Sequence, residues 1–269
     1  MKWYIPIFFF FAVIVLIGTC YYGTVKDETK KDTKKESFSQ SLVLESPKIP
    51  KNIIQVWKTW SAKSYTQFAK NTDALKQMNS DYNYIFFKDK DIDDFLKMHY
   101  PYYYKTYQEL PLNIQKMDFF RYVALYHFGG FYFDMDIHSL QPLSDDLLYH
   151  DVVVPVDEPI TSANRDQYRF REFARNGIKQ ILGQYAFGCA PKHPFIKRLI
   201  DGIVENLSNI QRQAKFYAKS HDFVYQTTGP DYVTTIYMNY PDKEDIYILE
   251  GERQKFGKYA KHSCVGGWK

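Results

Sequence analysis

The chain has 269 residues, 45% of them hydrophobic and 18% aromatic, with 24 Tyr and 21 Phe. That length holds one large domain with appendages, and the aromatic content suits a substantial core and a site that stacks planar or sugar groups. The formal charge of +4 is small against 35 basic and 31 acidic residues, and no basic stripe with interleaved aromatics occurs, which argues against nucleic acid as a partner.

Residues 1–3 are a short flank. Residues 4–22 are apolar and uncharged, close to the roughly 20 residues that a bilayer-spanning helix needs, and predict a transmembrane anchor. A cleaved signal peptide competes with that reading, but no A-x-A site follows. Residues 23–47 predict a flexible stalk, charged at 26–36 (KDETKKDTKKE) and poor in large apolar groups. Lys26, Lys30, Lys31, Lys34 and Lys35 follow the apolar segment, against Lys2 before it. The positive-inside rule would put the rest of the chain in the cytosol, although long domains translocate with little regard to charge.

Pro47 and Pro50 end the stalk, and the folded domain is expected at 48–269. Residues 53–57 and 82–87 read as strands around a helix at 64–78, with Phe68, Leu75 and Met78 facing inward. A short helix at 91–98 is stopped by Pro101. The clearest helix is 113–127, where Ile114, Met117, Phe120 or Arg121, Ala124 and Leu125 recur at helical spacing. Gly129-Gly130 ends it, and an aromatic strand at 131–133 follows. Further on, 152–156 and 185–189 read as strands, 195–207 as an amphipathic helix after Pro194, 229–240 as a helix and 246–249 as a strand. This alternation predicts an α/β sandwich with a mainly parallel sheet. No G-x-G-x-x-G or P-loop follows any strand. Cys20 lies in the apolar segment; Cys189 and Cys264 form either one disulfide or two buried thiols.

The chemistry concentrates at Asp134-Met135-Asp136. Two carboxylates two apart at the end of an aromatic strand are expected on one face, because side chains alternate along a strand, and oxygen pairs of this kind suit Mg²⁺ or Mn²⁺ with positions left for phosphate oxygens. In an open α/β sheet, the end of a strand is also where ligands sit. Asp118 and Arg121, three apart on the 113–127 helix, share a face in an apolar neighbourhood. Charges there need partners, and a guanidinium fork fits a diphosphate or a carboxylate. Asp157 and Glu158, after the 152–156 strand, are either exposed loop acids or acceptor- or sugar-facing carboxylates. His193 at a helix start reads as a capping residue, and His138 follows the aspartates closely enough to reach them.

The block at 114–143 (IQKMDFFRYVALYHFGGFYFDMDIHSLQPL) resembles the signature of the DXD-containing sugar transferases of glycosyltransferase family 32. That family includes fungal α-mannosyltransferases of glycan and inositol-phosphoceramide pathways and bacterial capsular sugar transferases. Residues 49–57 (IPKNIIQVW), 189–195 (CAPKHPF), Thr228-Gly229-Pro230 and 262–268 (HSCVGGW) are similar to it as well. The resemblance implies a GT-A-type single-domain nucleotide-sugar-binding fold, a divalent metal (Mn²⁺, with Mg²⁺ as the alternative), and retention of anomeric configuration. It implies a donor such as GDP-mannose or a UDP-hexose, a glycan or glycolipid acceptor, and a type II Golgi or ER membrane protein with a lumenal catalytic domain. By the same likeness Asp134 and Asp136 hold the metal, and Asp118, Arg121 and Asp136 are catalytic. Trp57, Asp118, Arg121, Asp134, His262 and Trp268 bind the donor. Ser263 and Gly267 stand where family members often carry His and Ser, which leaves a third metal ligand open. The competing readings are an inactive transferase-like scaffold and a metal-dependent phosphoryl-transfer enzyme, the latter lacking a second carboxylate cluster.

Overall fold

A computed structural model describes residues 46–57 and 62–265. The expected anchor at 4–22, nearly all of the stalk, and Trp268 lie outside the described residues. Among the described residues no helix is long and apolar enough to cross a membrane.

The first strand, β1 (Asn52–Val56), is buried over its last four residues, and α1 (Ala62–Met78) and β2 (Asn83–Phe87) follow. Phe68 and Leu75 are buried as expected, but Met78 is 38% exposed, because Leu75 and Asn79 take the inward face at the end of α1. Helix α2 (Asp89–His99) begins with a hydrogen bond from the Lys88 amide to the Asp91 carboxylate, 3.0 Å long. Pro101 both stops α2 and opens α3 (Pro101–Glu109) as its first residue, where its missing N–H is no loss.

Helix α4 (Asn113–Phe128) is buried without a break from Asp118 to Leu125. Burial on all sides is what a helix enclosed by the core requires: β1 and β3 lie against it, and α3, α6 and α7 cover it. Gly129 (φ +62°) and Gly130 (φ +100°) turn the chain directly into β3 (Gly130–Phe133). A Cβ at Gly130 would stand 2.5 Å from the Asn52 carbonyl oxygen, so only glycine lets β3 leave α4 this close to β1.

The remaining elements are β4 (Ile137–Ser139), β5 (Val152–Pro159), α5 (Tyr168–Arg175), β6 (Gln180–Leu182) and β7 (Ala186–Cys189), then α6 (Pro194–Tyr217), α7 (His221–Thr227), α8 (Pro230–Asn239), β8 (Ile246–Leu249), β9 (Lys255–Phe256) and β10 (Ala260–His262). The main sheet has the order β2-β1-β3-β7-β5-β6, with β8 also on β5, and a small sheet has the order β4-β10-β9.

The main sheet is mixed, not mainly parallel. β1 pairs in parallel with β2 and β3, and β5 with β8, whereas β3–β7, β5–β7 and β5–β6 are antiparallel. The strands expected at 152–156 and 185–189 are the two arms of one long hairpin. Between them lie α5 and the short β6, and the chain returns along β5 through β6 and β7 instead of crossing over to a new parallel position. One face of the sheet packs Ile54, Tyr132 and Val154 against α4 and α6, while the other buries Ile53, Phe131 and Phe133 with Phe256.

Candidate active site

The DMD residues do not continue β3. They form a turn beyond it, closed by the Ile137 amide donating to the Asp134 carbonyl at 3.2 Å. The turn, and not strand alternation, therefore brings the two carboxylates together. It opens into β4, which pairs with β10 so that His262 lies opposite Ile137. That register delivers the imidazole to the aspartates: His262 Nε2 is 3.1 Å from Asp136 Oδ1 and 3.9 Å from Asp134 Oδ2. Ligand atoms from all three residues lie within 4.8 Å of one another. The Tyr185 ring stacks on His262 at 4.6 Å and 13°, and the Val265 amide donates to Asp136 Oδ2 at 2.9 Å. Two carboxylates and an imidazole are the hard oxygen and borderline nitrogen donors that suit Mn²⁺ or Mg²⁺, so the residues fit the metal that the motif implies.

Behind the turn sits Arg121, 4% exposed. Its Nη2 is 2.9 Å from Asp118 Oδ1, and its Nη1 is 3.0 Å from Asp134 Oδ1. Nη1 also donates to the Gln184 carbonyl at 3.0 Å, and the guanidinium lies 4.7 Å over the Tyr132 ring. Asp118 is wholly buried and accepts from the Thr228 hydroxyl at 2.8 Å and from Gln184 Nε2 at 3.1 Å. Burial pushes its carboxyl up to about 6, against the pull of Arg121 and Thr228. At Asp136 burial acts in the same direction, but the His262 hydrogen bond and charge outweigh it and hold the carboxyl below its usual range. Burial alone would lower His262; the two aspartates raise it. Each member of the pair therefore favours the charged form of the other.

These groups line one cavity of about 760 Å³. One part of its wall is apolar: Val56, Trp57, Phe68, Leu112, Ile114 and Met117. Another part is charged: Asp118, Arg121, Asp134, Asp136, Asp157 and His262. Trp57, just past β1, packs edge-to-face with Phe68 at 4.9 Å, and both line the cavity. The structure thus gathers Trp57, Asp118, Arg121, Asp134, Asp136 and His262 around a single space; Trp268 lies outside the described residues.

Several other residues fall differently from expectation. Asp157 is on β5 and lines the cavity, so it is not an exposed loop acid. Glu158 is turned away to Arg169 at 3.1 Å. His138 is exposed on β4. His193 caps α6, accepting from the Phe195 amide at 3.2 Å. Cys189 is a buried free thiol and Cys264 an exposed one, its sulfur 3.2 Å from His262 Nδ1. Sequence reasoning gave no role to Gln184, Tyr185 or Tyr225. All three line the cavity, and the only local signal for the first two was their position just ahead of a strand.

Residues 66–154 match the family model described as a glycosyltransferase sugar-binding region containing a DXD motif. Asp118, Arg121, Asp134 and Asp136 all fall inside this stretch. That stretch is therefore similar to the sugar-binding region of DXD-containing glycosyltransferases. The chain is 28% identical over 215 residues to inositol phosphoceramide mannosyltransferase 2 of Schizosaccharomyces pombe, covering 80% of this chain and 53% of that protein. It is 22% identical over 268 residues to mannosyl phosphorylinositol ceramide synthase SUR1 of Saccharomyces cerevisiae, covering 96% and 62%. The chain spans about half the length of the first of these relatives. Among solved structures, the PaToxG glycosyltransferase aligns at 17% identity over 73% of each chain with a TM-score of 0.44, too loose to argue from.

Proposed function

We propose that this protein is a metal-dependent, retaining glycosyltransferase of GT-A type that moves a hexose, with mannose favoured, from a nucleotide-sugar donor to a glycan or glycolipid acceptor. The observation that carries the proposal is the convergence of Asp134, Asp136 and His262 to within 4.8 Å on the wall of a cavity that Asp118, Arg121 and Trp57 also line. In this reading those three residues hold Mn²⁺, or Mg²⁺ in its place. When bound there, the cation neutralises the diphosphate leaving group as the glycosidic bond breaks.

The chain's own residues do the positioning. Trp57 offers its ring to the nucleobase. Arg121, fixed between Asp118 and Asp134, sets the carboxylate that faces the metal and adds positive charge beside the diphosphate. Asp118 offers its carboxylate to hydroxyls of the donor sugar. Gln184, donating to Asp118 at 3.1 Å, keeps that carboxylate oriented. Preorganised charges of this kind lower a barrier without a strong protein base. Trp268 is assigned to the donor by family likeness.

The names of the relatives make GDP-mannose the first donor to try and an inositol phosphoceramide the first acceptor. Residues 4–22 are proposed as a membrane anchor and 23–47 as its stalk, with the catalytic domain in the Golgi or ER lumen. The test is release of nucleoside diphosphate from GDP-mannose, UDP-glucose, UDP-galactose and UDP-N-acetylglucosamine with Mn²⁺, with Mg²⁺ and with chelator. Mn²⁺-dependent release from at least one donor is expected. No release and no binding of any donor by folded protein would overturn the proposal.

A further inference from the structure

We propose that Asp157 forms an acceptor subsite in this cavity, taking hydrogen bonds from hydroxyl groups of a polyol such as a sugar or cyclitol, and that Arg169 is the residue that positions it. This rests on the glycosyltransferase reading above and deepens it.

The backbone supplies the first argument. Along the β5–β6 pairing, Val156 opposes Leu182 and Glu158 opposes Ile181, so Asp157 is an extra residue with no partner across the ladder. A bulge of this kind breaks strand alternation and re-aims a side chain, and bulges recur beside active sites for that reason. Here it turns Asp157 into the cavity while Glu158 points to Arg169.

Hydrogen-bond accounting supplies the second. Among the described residues the near partner of Asp157 is Arg169, whose Nη2 is 3.7 Å from Oδ2, beyond hydrogen-bond reach. That guanidinium is already engaged: it donates to Asp231 at 2.6 and 2.9 Å and to Glu158 at 3.1 Å. Asp157 therefore stands in the cavity wall near a cation, with no donor among the described residues on its oxygens, and burial pushes its carboxyl up. A carboxylate so placed needs N–H or O–H groups from a ligand.

Charge narrows the class. Asp157, Glu158 and Asp231 share Arg169, with Arg253 3.8 Å from Glu158 as a further cation. This excess of negative charge repels a diphosphate, whose oxygens only accept. Hydroxyl groups are donors and suit it. Arg169 also stacks 4.8 Å over Tyr225, which lines the same cavity and presents a ring for the C–H face of a sugar or cyclitol. One guanidinium thus sets the charge beside the Asp157 carboxylate and holds the aromatic face of the subsite.

The experiment uses the full chain with Mn²⁺ and GDP-mannose, or whichever donor the panel selects. The acceptor probes are an inositol phosphoceramide in detergent micelles and methyl α-D-mannopyranoside. Asp157→Ala is expected to raise the acceptor KM by about tenfold or more, the loss of a hydrogen bond to a charged group, while the donor KM moves much less. Asp157→Asn keeps one acceptor oxygen and should fall between, and it provides the reading if the alanine variant does not fold. Arg169→Ala should also raise the acceptor KM, and Arg169→Lys should restore part of the loss. An unchanged acceptor KM in both Asp157 variants would overturn the proposal. So would a donor KM that rises in step with it, because Asp157 would then face the donor sugar. Absence of nucleoside diphosphate release or transfer by the parent protein would instead overturn the underlying function.

Discussion

Replacing Arg121 by Met tests whether the charged wall of the cavity is an electrostatic lock. Arg121 Nη2 and Nη1 stand 2.9 and 3.0 Å from Asp118 and Asp134, and the side chains of Arg121 and Asp118 are 5% and 1% exposed. Removing the guanidinium leaves Asp118 wholly enclosed with Thr228 and Gln184 as its partners among the described residues, so it must either keep its charge without a cation or take up a proton. Breaking a buried pair in this way costs about 3–5 kcal/mol. Asp134 adds little to that figure, because at 24% exposure it can turn toward solvent. For a domain of this size each kcal/mol shifts Tm by roughly 2–4 °C, so a fall on the order of 10 °C is expected. The double variant Asp118→Asn/Arg121→Met removes the stranded charge and should recover about half of the loss without recovering turnover. Urea and thermal unfolding followed by circular dichroism read both variants. A loss under about 1 kcal/mol in the single variant, or a double variant no more stable than the single one, would refute the reasoning.

Asp136→Ala should reduce Mn²⁺-dependent turnover by more than the roughly hundredfold typical of losing an outer-shell partner. Its melting temperature should stay close to that of the parent, since Asp136 is partly exposed. The pH dependence follows from the same pair. Without metal, the raised His262 contributes stability that is fully present below 6.5 and is lost as pH rises through its folded value. The depressed Asp136 contributes stability present above 3.8 and lost as pH falls through its own. A cation competes with the His262 proton. Mn²⁺ affinity by calorimetry should therefore strengthen from about pH 6 to about pH 8, and His262→Ala should flatten that slope. Gly130→Ala, with φ +100° and a Cβ 2.5 Å from the Asn52 carbonyl oxygen, should cost about 3 kcal/mol or more; solubility and melting of the variant check it.

The legible parts of this molecule were those in which a local pattern is tied to a local cause. The 113–127 helix announced itself by apolar spacing and by its glycine stop, and the aromatic strand that follows had nowhere else to go. Together they gave the site its position, with Asp118, Arg121, Asp134 and Asp136 in it. Much of the remainder is set by pairing between distant segments. His262 reaches Asp134 and Asp136 because a three-residue strand, β10, pairs with another three-residue strand, β4; elements that short have no readable periodicity. Likewise the bulge at Asp157 depends on the register against β6, and the antiparallel arms of the main sheet depend on how α5 is accommodated in the hairpin. Met78 fell on the wrong side because the polar Asn79, not an apolar residue, takes the inward position beside Leu75 there.

The central claim is that Asp134, Asp136 and His262 hold one divalent cation. It is tested most directly by binding Mn²⁺ to the full chain and following it by electron paramagnetic resonance, with nitrogen coupling measured at the bound ion. One bound Mn²⁺ per chain is expected, with an imidazole nitrogen in its coordination sphere. That coupling should vanish in His262→Ala, and the affinity should collapse in Asp136→Ala. Mn²⁺ that binds as tightly in both variants as in the parent, or shows no nitrogen coupling in the parent, would contradict the account.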